Sequence, residues 1–169
     1  MSQAAAPFIK ELEREAATTR RLLERVPDGK FDWQPHPKSM TLVRLASHVA
    51  ETPGVFATIL TPDGIDFAEF KFVRPEVKTA ADILAIHDKS IESATQFLTG
   101  LSDDRAHAIF KMSHSGKEMM SAPRIVWVRS LMLSHWIHHR GQLSVFLRML
   151  DVPIPSIYGP SGDENPFAS

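Results

Sequence analysis

Apolar side chains recur at helical spacing in four stretches of the chain. In residues 7–26, Phe8, Leu12, Leu22 and Leu23 share one face with Glu and Arg interspersed, and Pro27-Asp28-Gly29 ends the pattern as a turn. A second stretch runs through Leu42, Leu45, Ala46 and Val49 towards Leu60, with Ser39 or Thr41 available as its cap and Pro53-Gly54 as a kink or break. A third follows the capping signal Thr79…Asp82 and carries Ile83, Leu84, Ile86, Ile91, Ala94, Phe97 and Leu98 to Thr99, where Gly100 stops it. The fourth and longest, residues 123–150, opens on Pro123 in its first turn and places Ile125, Val128, Met132, Phe146 and Met149 on one face.

The connections read differently. Pro35 and Pro37 make residues 31–38 an extended loop. Residues 61–77 show no regular period, and Phe67, Phe70 and Phe72 there are expected to close a core. Two short mixed runs, 109–112 and 118–120, flank His114-Ser115-Gly116-Lys117 and predict a small hairpin. Residues 151–169 begin too rich in proline for a helix and too apolar for a free tail, so they are expected to fold back over the rest. Four helical patterns without strand alternation or a solenoid repeat predict an all-α four-helix bundle, one domain over residues 1–169.

The fourth stretch has a gap in its apolar face, filled by His135, His139 and Gln142. Alternating steps of three and four put these polar groups on the stripe expected to be buried. An imidazole or amide buried without a partner costs about 1–3 kcal/mol, so something must lie between them. Two imidazoles one helical turn apart suit one metal ion.

Composition limits the setting of such a site. Lys plus Arg number 19 against 20 Asp plus Glu, so no global basic field draws a phosphate backbone and nucleic acid is not indicated. No stretch reaches the roughly twenty apolar residues of a membrane span, and the start of the chain lacks a signal-peptide core, so a cytoplasmic protein is expected. The chain has no cysteine, which excludes thiolate ligands and a thiol nucleophile of its own. Any metal is therefore held by nitrogen or oxygen.

A catalytic zinc site commonly has three protein ligands and an open position, so His135 and His139 need a third donor. His138 is rotated roughly 100° off the face of His139 and is assigned to the surroundings or the surface. His48, beside Val49 in the middle of the second helix, is the best donor. His36, His87, His107 and His114 are read as solvated. A lone helical histidine is more often a hydrogen-bonded core residue than a ligand; the pair at i and i+4 with a third donor shifts the balance towards metal. The spacing is that of zincin proteases, but Trp136 stands where that motif needs glutamate, which disfavours a protease.

His135-x-x-x-His139-Arg140-Gly141-Gln142, the earlier Leu45-x-x-His48, and the closing Tyr158-Gly159-Pro160-Ser161 with acids after it resemble the DinB/YfiT-like superfamily over nearly the whole chain. The resemblance implies a four-helix bundle of up-down-down-up course, often a homodimer, with a divalent metal on three histidines. Carried over by residue, the ligands are His48, His135 and His139; Gln142 is a neighbouring hydrogen-bonding group, and Arg140 and Gly141 serve packing or charge pairing. It also implies two reaction classes for a small-molecule substrate: S-transfer from a low-molecular-weight thiol such as mycothiol or bacillithiol, or hydrolysis.

Three neutral imidazoles leave a divalent ion its full charge, which in zinc enzymes lowers the pKa of a coordinated water to about 7 and favours bound anions. Zinc and nickel lead the expected metals, with iron and copper also suited to histidine nitrogen. The candidates for a catalytic group are Gln142 and Glu51; Glu51, three residues after His48, is either a base or an outer acceptor, against the plainer reading of a solvated helix position. Two non-enzymatic readings stand beside the enzyme: a metal-stabilised binding or stress-response module, and a bundle whose histidines satisfy one another through water.

Overall fold

In the computed structural model, which describes residues 2–168, four long helices surround one apolar core. Helix α1 is Ala6–Leu23, α2 Leu42–Leu60 and α3 Ala80–Gly100; a short α4, Asp103–His107, follows. The last helical run begins as α5, Arg124–Trp127, passes through a π-helical segment, Val128–Ser134, and continues as α6, His135–Met149. The hairpin forms as expected, from β2 (Ile109–His114) and β3 (Lys117–Pro123), turning at Ser115 and Gly116, which both have positive φ. Pro123 closes β3 and caps α5 from outside rather than sitting in its first turn.

Local chemistry sets the helix starts. The Thr41 hydroxyl accepts from the Arg44 N–H at the head of α2, and Thr79 with Asp82 forms a reciprocal capping box on α3. Helix α1 ends at Leu23, short of Val26, although Val26 is buried. In residues 61–77 a three-residue strand, β1 (Gly64–Asp66), pairs in parallel with β2. Three residues are too few to show an alternation in sequence. Asp66 holds the strand end in place, its carboxylate accepting from the N–H groups of Ala68, Ser115 and Gly116. Of the three aromatics there, Phe70 packs on the core, whereas Phe67 and Phe72 are 37% exposed. Val152, Ile154 and Ile157 lay the C-terminal segment against the bundle.

Pro53 does not break α2, which runs through it to Leu60. A proline at this position has no N–H to offer the carbonyl four residues back, that of Val49. The Trp136 indole N–H takes the place, donating to the Val49 oxygen at 2.8 Å. The next backbone group, Gly54 N–H, is met by Ser90 Oγ at 2.8 Å, and the same hydroxyl donates to the Glu51 carbonyl. A Cβ on Gly54 would lie 2.9 Å from the Ser90 Cα, so only glycine permits this approach of α2 to α3. The proline thus exchanges helix bonds for two cross-helix braces.

The last helical run corrects the expected burial stripe. Its buried residues are Arg124, Val128, Met132, Leu133, Trp136, Arg140, Leu143 and Leu147. Met149 is exposed, Phe146 only half-buried, and His135, His139 and Gln142 sit beside the core stripe rather than on it. The face read from sequence holds at Val128 and Met132 and beyond them lies one residue-step, roughly 100°, away from the true one. Arg140 in the true stripe made it look solvated, and the π segment accommodates an additional residue before it.

Candidate metal centre

Two helices carry the polar cluster. His48 projects from α2; His135 and His139, one turn apart, project from α6. Trp136 bonded to Val49 braces the helices one residue away from His135 and His48, which fixes the two ligand-bearing faces against each other. The Nε2 atoms of His48 and His135 are 3.0 Å apart, and the ring of His139 lies 4.5 Å from that of His48 and 4.4 Å from that of His135, centre to centre. One nitrogen from each of the three histidines lies within 4.8 Å of the others. An ion at about 2.0–2.1 Å from each nitrogen in tetrahedral geometry spaces its ligand atoms about 3.3–3.4 Å apart, so the donor set fits one small divalent ion after minor adjustment.

The opposite ring nitrogens support this orientation. His139 Nδ1 is 2.7 Å from Gln142 Oε1, so a proton on Nδ1 donates to the amide and leaves Nε2 with a free lone pair. His48 Nδ1 is buried without a hydrogen-bond partner and faces Glu51 Oε1 at 3.7 Å. Glu51 therefore stands behind His48, on the far side of the ring from the nitrogen that faces the cluster. It is 5% exposed and accepts from Arg74 Nε at 3.1 Å and Arg44 Nη1 at 3.4 Å. Burial alone would raise its pKa, but His48, Arg74 and Arg44 together outweigh burial and hold it below the ordinary carboxylate range.

Burial and the neighbouring imidazoles keep His135 and His139 neutral. The His135 pKa is lowered from 6.5 to about 4, first by burial and then by His139, His48 and His138. That of His139 is lowered chiefly by burial, against the opposing pull of Gln142. Neutral imidazole is the form that binds metal. Phe56 packs edge-on against His135, and a cleft of about 400 Å³ opens beside His139 and Gln142, walled by Met40, Leu45, Val145 and Phe146 with Lys38 at its side.

The other histidines lie outside the cluster, His138 with its ring 5.0 Å from that of His139 and the rest dispersed. His36, His107, His114 and His138 are exposed. His87 is not solvated as expected from its acidic and basic neighbours. It is 2% exposed, its Nε2 bonding the Ala16 carbonyl at 3.3 Å and its ring lying beside Trp136, and burial lowers its pKa. Its position four residues after the buried Ile83 was the sequence signal that could have shown this.

Arg140, next to His139 in sequence, points into the core. Its Nη2 meets Glu15 Oε2 at 2.6 Å and the Tyr158 hydroxyl at 2.7 Å, and its Nη1 reaches Thr19 Oγ1 at 3.1 Å. Tyr158 in turn donates to Glu15 at 2.8 Å, so the C-terminal segment is latched to α1 through a buried ion pair. Elsewhere Arg124, 1% exposed, donates to the carbonyls of Leu60, Arg105 and Pro62 and to Asp63, tying the end of α2 to the hairpin end of the fold.

Residues 1–165 match the profile of the DinB family. The chain belongs to this family. Among curated proteins it is similar to the uncharacterized protein YrdA of Bacillus subtilis, 25% identical over 97% of this chain and 93% of that one. Among solved structures, a DinB-like protein from Bacillus cereus has a TM-score of 0.69 at 20% identity, covering 89% of this chain and 95% of the other. A DinB-like protein from Bacillus subtilis has a TM-score of 0.69 at 16% identity, covering 88% and 96%. These likenesses carry the DinB fold, the four-helix bundle of up-down-down-up course, to this chain. No helix among the described residues is long and apolar enough to cross a membrane. The three-histidine cluster of this DinB protein fits metal binding, and its sequence neighbour Arg140 has the packing and charge-pairing place expected of it.

Proposed function

We propose that this DinB-family protein is a metal-dependent enzyme acting on a small molecule, of thiol S-transferase or hydrolase type, with His48, His135 and His139 as the metal ligands. The observation that carries the reading is the donor count beside the cleft. Three imidazoles converge, no fourth His, Asp or Glu joins the group among the described residues, and His139 lines an open space of about 400 Å³. A structural ion is normally closed by four protein ligands, whereas three leave a coordination position for a reactant. Zinc or nickel fits the nitrogen set best, with iron and copper as further candidates.

A bound divalent ion supplies Lewis acidity to an oxygen or sulfur atom placed against it. The chain's own residues do the rest. Gln142 holds the proton on His139 Nδ1 and so keeps Nε2 directed inward. Met40, Leu45, Val145 and Phe146 exclude water from the apolar part of a substrate, and Lys38 favours an anionic group at the rim. Gln142, at the cleft and on His139, is the group best placed to touch a substrate. The absence of cysteine means that in the transferase case the thiol, of the low-molecular-weight type, arrives as co-substrate. A homodimer belongs to the same reading and rests on the family resemblance, and a cytoplasmic location is proposed on the apolar pattern of the sequence.

The test begins with elemental mass spectrometry of untagged protein, wild type beside His48→Ala and His135→Ala. About one equivalent of metal in the wild type and little in either variant is expected from a three-ligand site. Metal-loaded protein is then assayed for thiol transfer to small electrophiles and for ester and amide hydrolysis. Full metal content without turnover in any panel moves the protein to the metal-stabilised binding or stress-response module, and no metal after reconstitution ends the metal reading.

A further inference from the structure

We infer that Glu51, held in place by Arg74, is a positioning residue for His48, so that the irregular segment carrying Arg74 is a working part of the metal site. This deepens the three-histidine reading and rests on it. A histidine that ligates through Nε2 must carry its proton on Nδ1, and an isolated imidazole has no strong reason to keep it there. For His139 the reason is Gln142 at 2.7 Å. For His48 the facing acceptor is Glu51 Oε1, 3.7 Å from a buried Nδ1 that has no other partner. A small rotation of the ring or of the carboxylate closes that distance to a hydrogen bond, which is the carboxylate–histidine arrangement that orients ligands at metal sites.

Glu51 does not hold its own position. The same Oε1 that faces His48 takes Arg74 Nε at 3.1 Å and Arg44 Nη1 at 3.4 Å, so three groups converge on one oxygen atom. Arg44 and His48 lie on α2 one turn apart, but Arg74 comes from the stretch between β1 and α3, which is neither helix nor strand. Its guanidinium also lies 5.5 Å from the centre of the Phe72 ring on the same segment. Two clefts, of about 510 and 360 Å³, are both bordered by Glu51 and Arg74, so the pair forms the wall between them.

A purely stabilising ion pair is the competing explanation. The two arginine side chains are 49% and 36% exposed against a buried Glu51, so water can solvate either cation when the carboxylate is taken away. Both guanidinium groups reach solvent when Glu51 is removed, which leaves no buried cation unpaired. What is lost on removal is the acceptor behind His48.

The experiment uses the full chain, metal-free and zinc-loaded, with Glu51→Leu, Glu51→Gln and Arg74→Ala. Zinc affinity is measured by chelator competition and the His48 tautomer by long-range proton–nitrogen correlation of its ring. Glu51→Leu is expected to bind zinc about 10–100-fold more weakly, as loss of an outer hydrogen-bond partner does at other metal sites, and to lose the Nδ1–H form of His48 in the metal-free protein. Glu51→Gln retains an acceptor oxygen and is expected to restore most of the affinity. Arg74→Ala, which touches neither metal nor histidine, is expected to weaken zinc binding by several-fold, with only a small drop in the unfolding midpoint because Arg44 still pairs with Glu51. Zinc affinity in Glu51→Leu within about twofold of wild type, with His48 still protonated on Nδ1, overturns the inference. Should Glu51→Leu not fold, wild-type zinc affinity in Arg74→Ala overturns it instead. If the wild type itself binds no zinc, the metal reading fails separately, and the tautomer in metal-free Glu51→Leu still decides whether Glu51 sets the ring.

Discussion

His139 and Arg140 are neighbours in sequence and face opposite environments. Arg140 enters a closed group in which Glu15, Thr19 and Tyr158 satisfy its donors, and in which the Glu15 carboxylate is itself matched. His139 joins His48 and His135, whose Nε2 atoms face each other while Glu51 and Gln142 stand behind the rings. Both regions contain polar groups removed from water, but only the second leaves lone pairs converging on a common point. A polar cluster that is complete in itself holds a fold; one with converging lone pairs fits a metal ion.

The largest expected effect lies on the closed side. Arg140→Ala leaves the buried Glu15 carboxylate with only the Tyr158 hydroxyl and the exposed Arg14 as partners and should cost about 3 kcal/mol in urea unfolding. A loss below about 1 kcal/mol, the usual value of an exposed pair, would erase the distinction between the two regions. On the open side, His139→Ala should reduce bound metal from about one equivalent to almost none by elemental analysis, yet change the metal-free unfolding free energy by no more than about 1 kcal/mol.

Acid should separate the regions in metal-free protein. His135 binds its proton less readily folded, at about 4, than unfolded, at 6.5. Its contribution to stability is therefore complete above 6.5 and lost progressively as pH falls to about 4. His87, also lowered by burial, acts in the same direction. For Glu15, burial pulls the pKa upward, but Tyr158, Arg140 and Arg14 outweigh it and hold the carboxyl below its ordinary range. Its stabilisation is present above that range and lost only as pH falls through the lowered folded value. Stability followed by denaturant titration from neutral pH downward should thus decline first through the histidines, with collapse of the Arg140 cluster later. The smallest effect belongs to Gln142→Ala, which should weaken metal binding about tenfold by chelator competition and leave the unfolding midpoint unchanged.

Much of this was legible in sequence. Thr79 and Asp82 announced α3, Ser115-Gly116 announced the hairpin, and the four helical periods announced the bundle. The three histidines that the motif and the middle of α2 singled out do come together. What could not be read was the face of α6, because an arginine buried among apolar residues is indistinguishable from a solvated one until Glu15 and Tyr158, distant in sequence, are brought to it. His87 was misread for the same reason: Asp88 and Lys89 describe its neighbours along the chain, not Ala16 and Trp136 across the bundle. Pro53 suggested a break in α2, and the partners that prevent one, Trp136 and Ser90, lie on other helices.

The π-helical segment Val128–Ser134 has a consequence for comparing and redesigning such chains. A helix that contains an inserted residue can be shortened by one without interrupting its hydrogen-bonded course, but everything beyond the deletion then turns by roughly 100° relative to what precedes it. Aligned without a gap to a chain one residue shorter in this segment, the histidine positions of this chain would be paired with core positions of the other. A one-residue deletion engineered there would act as a rotary selector, choosing which side of His135–Met149 meets α2 without changing any residue of the motif.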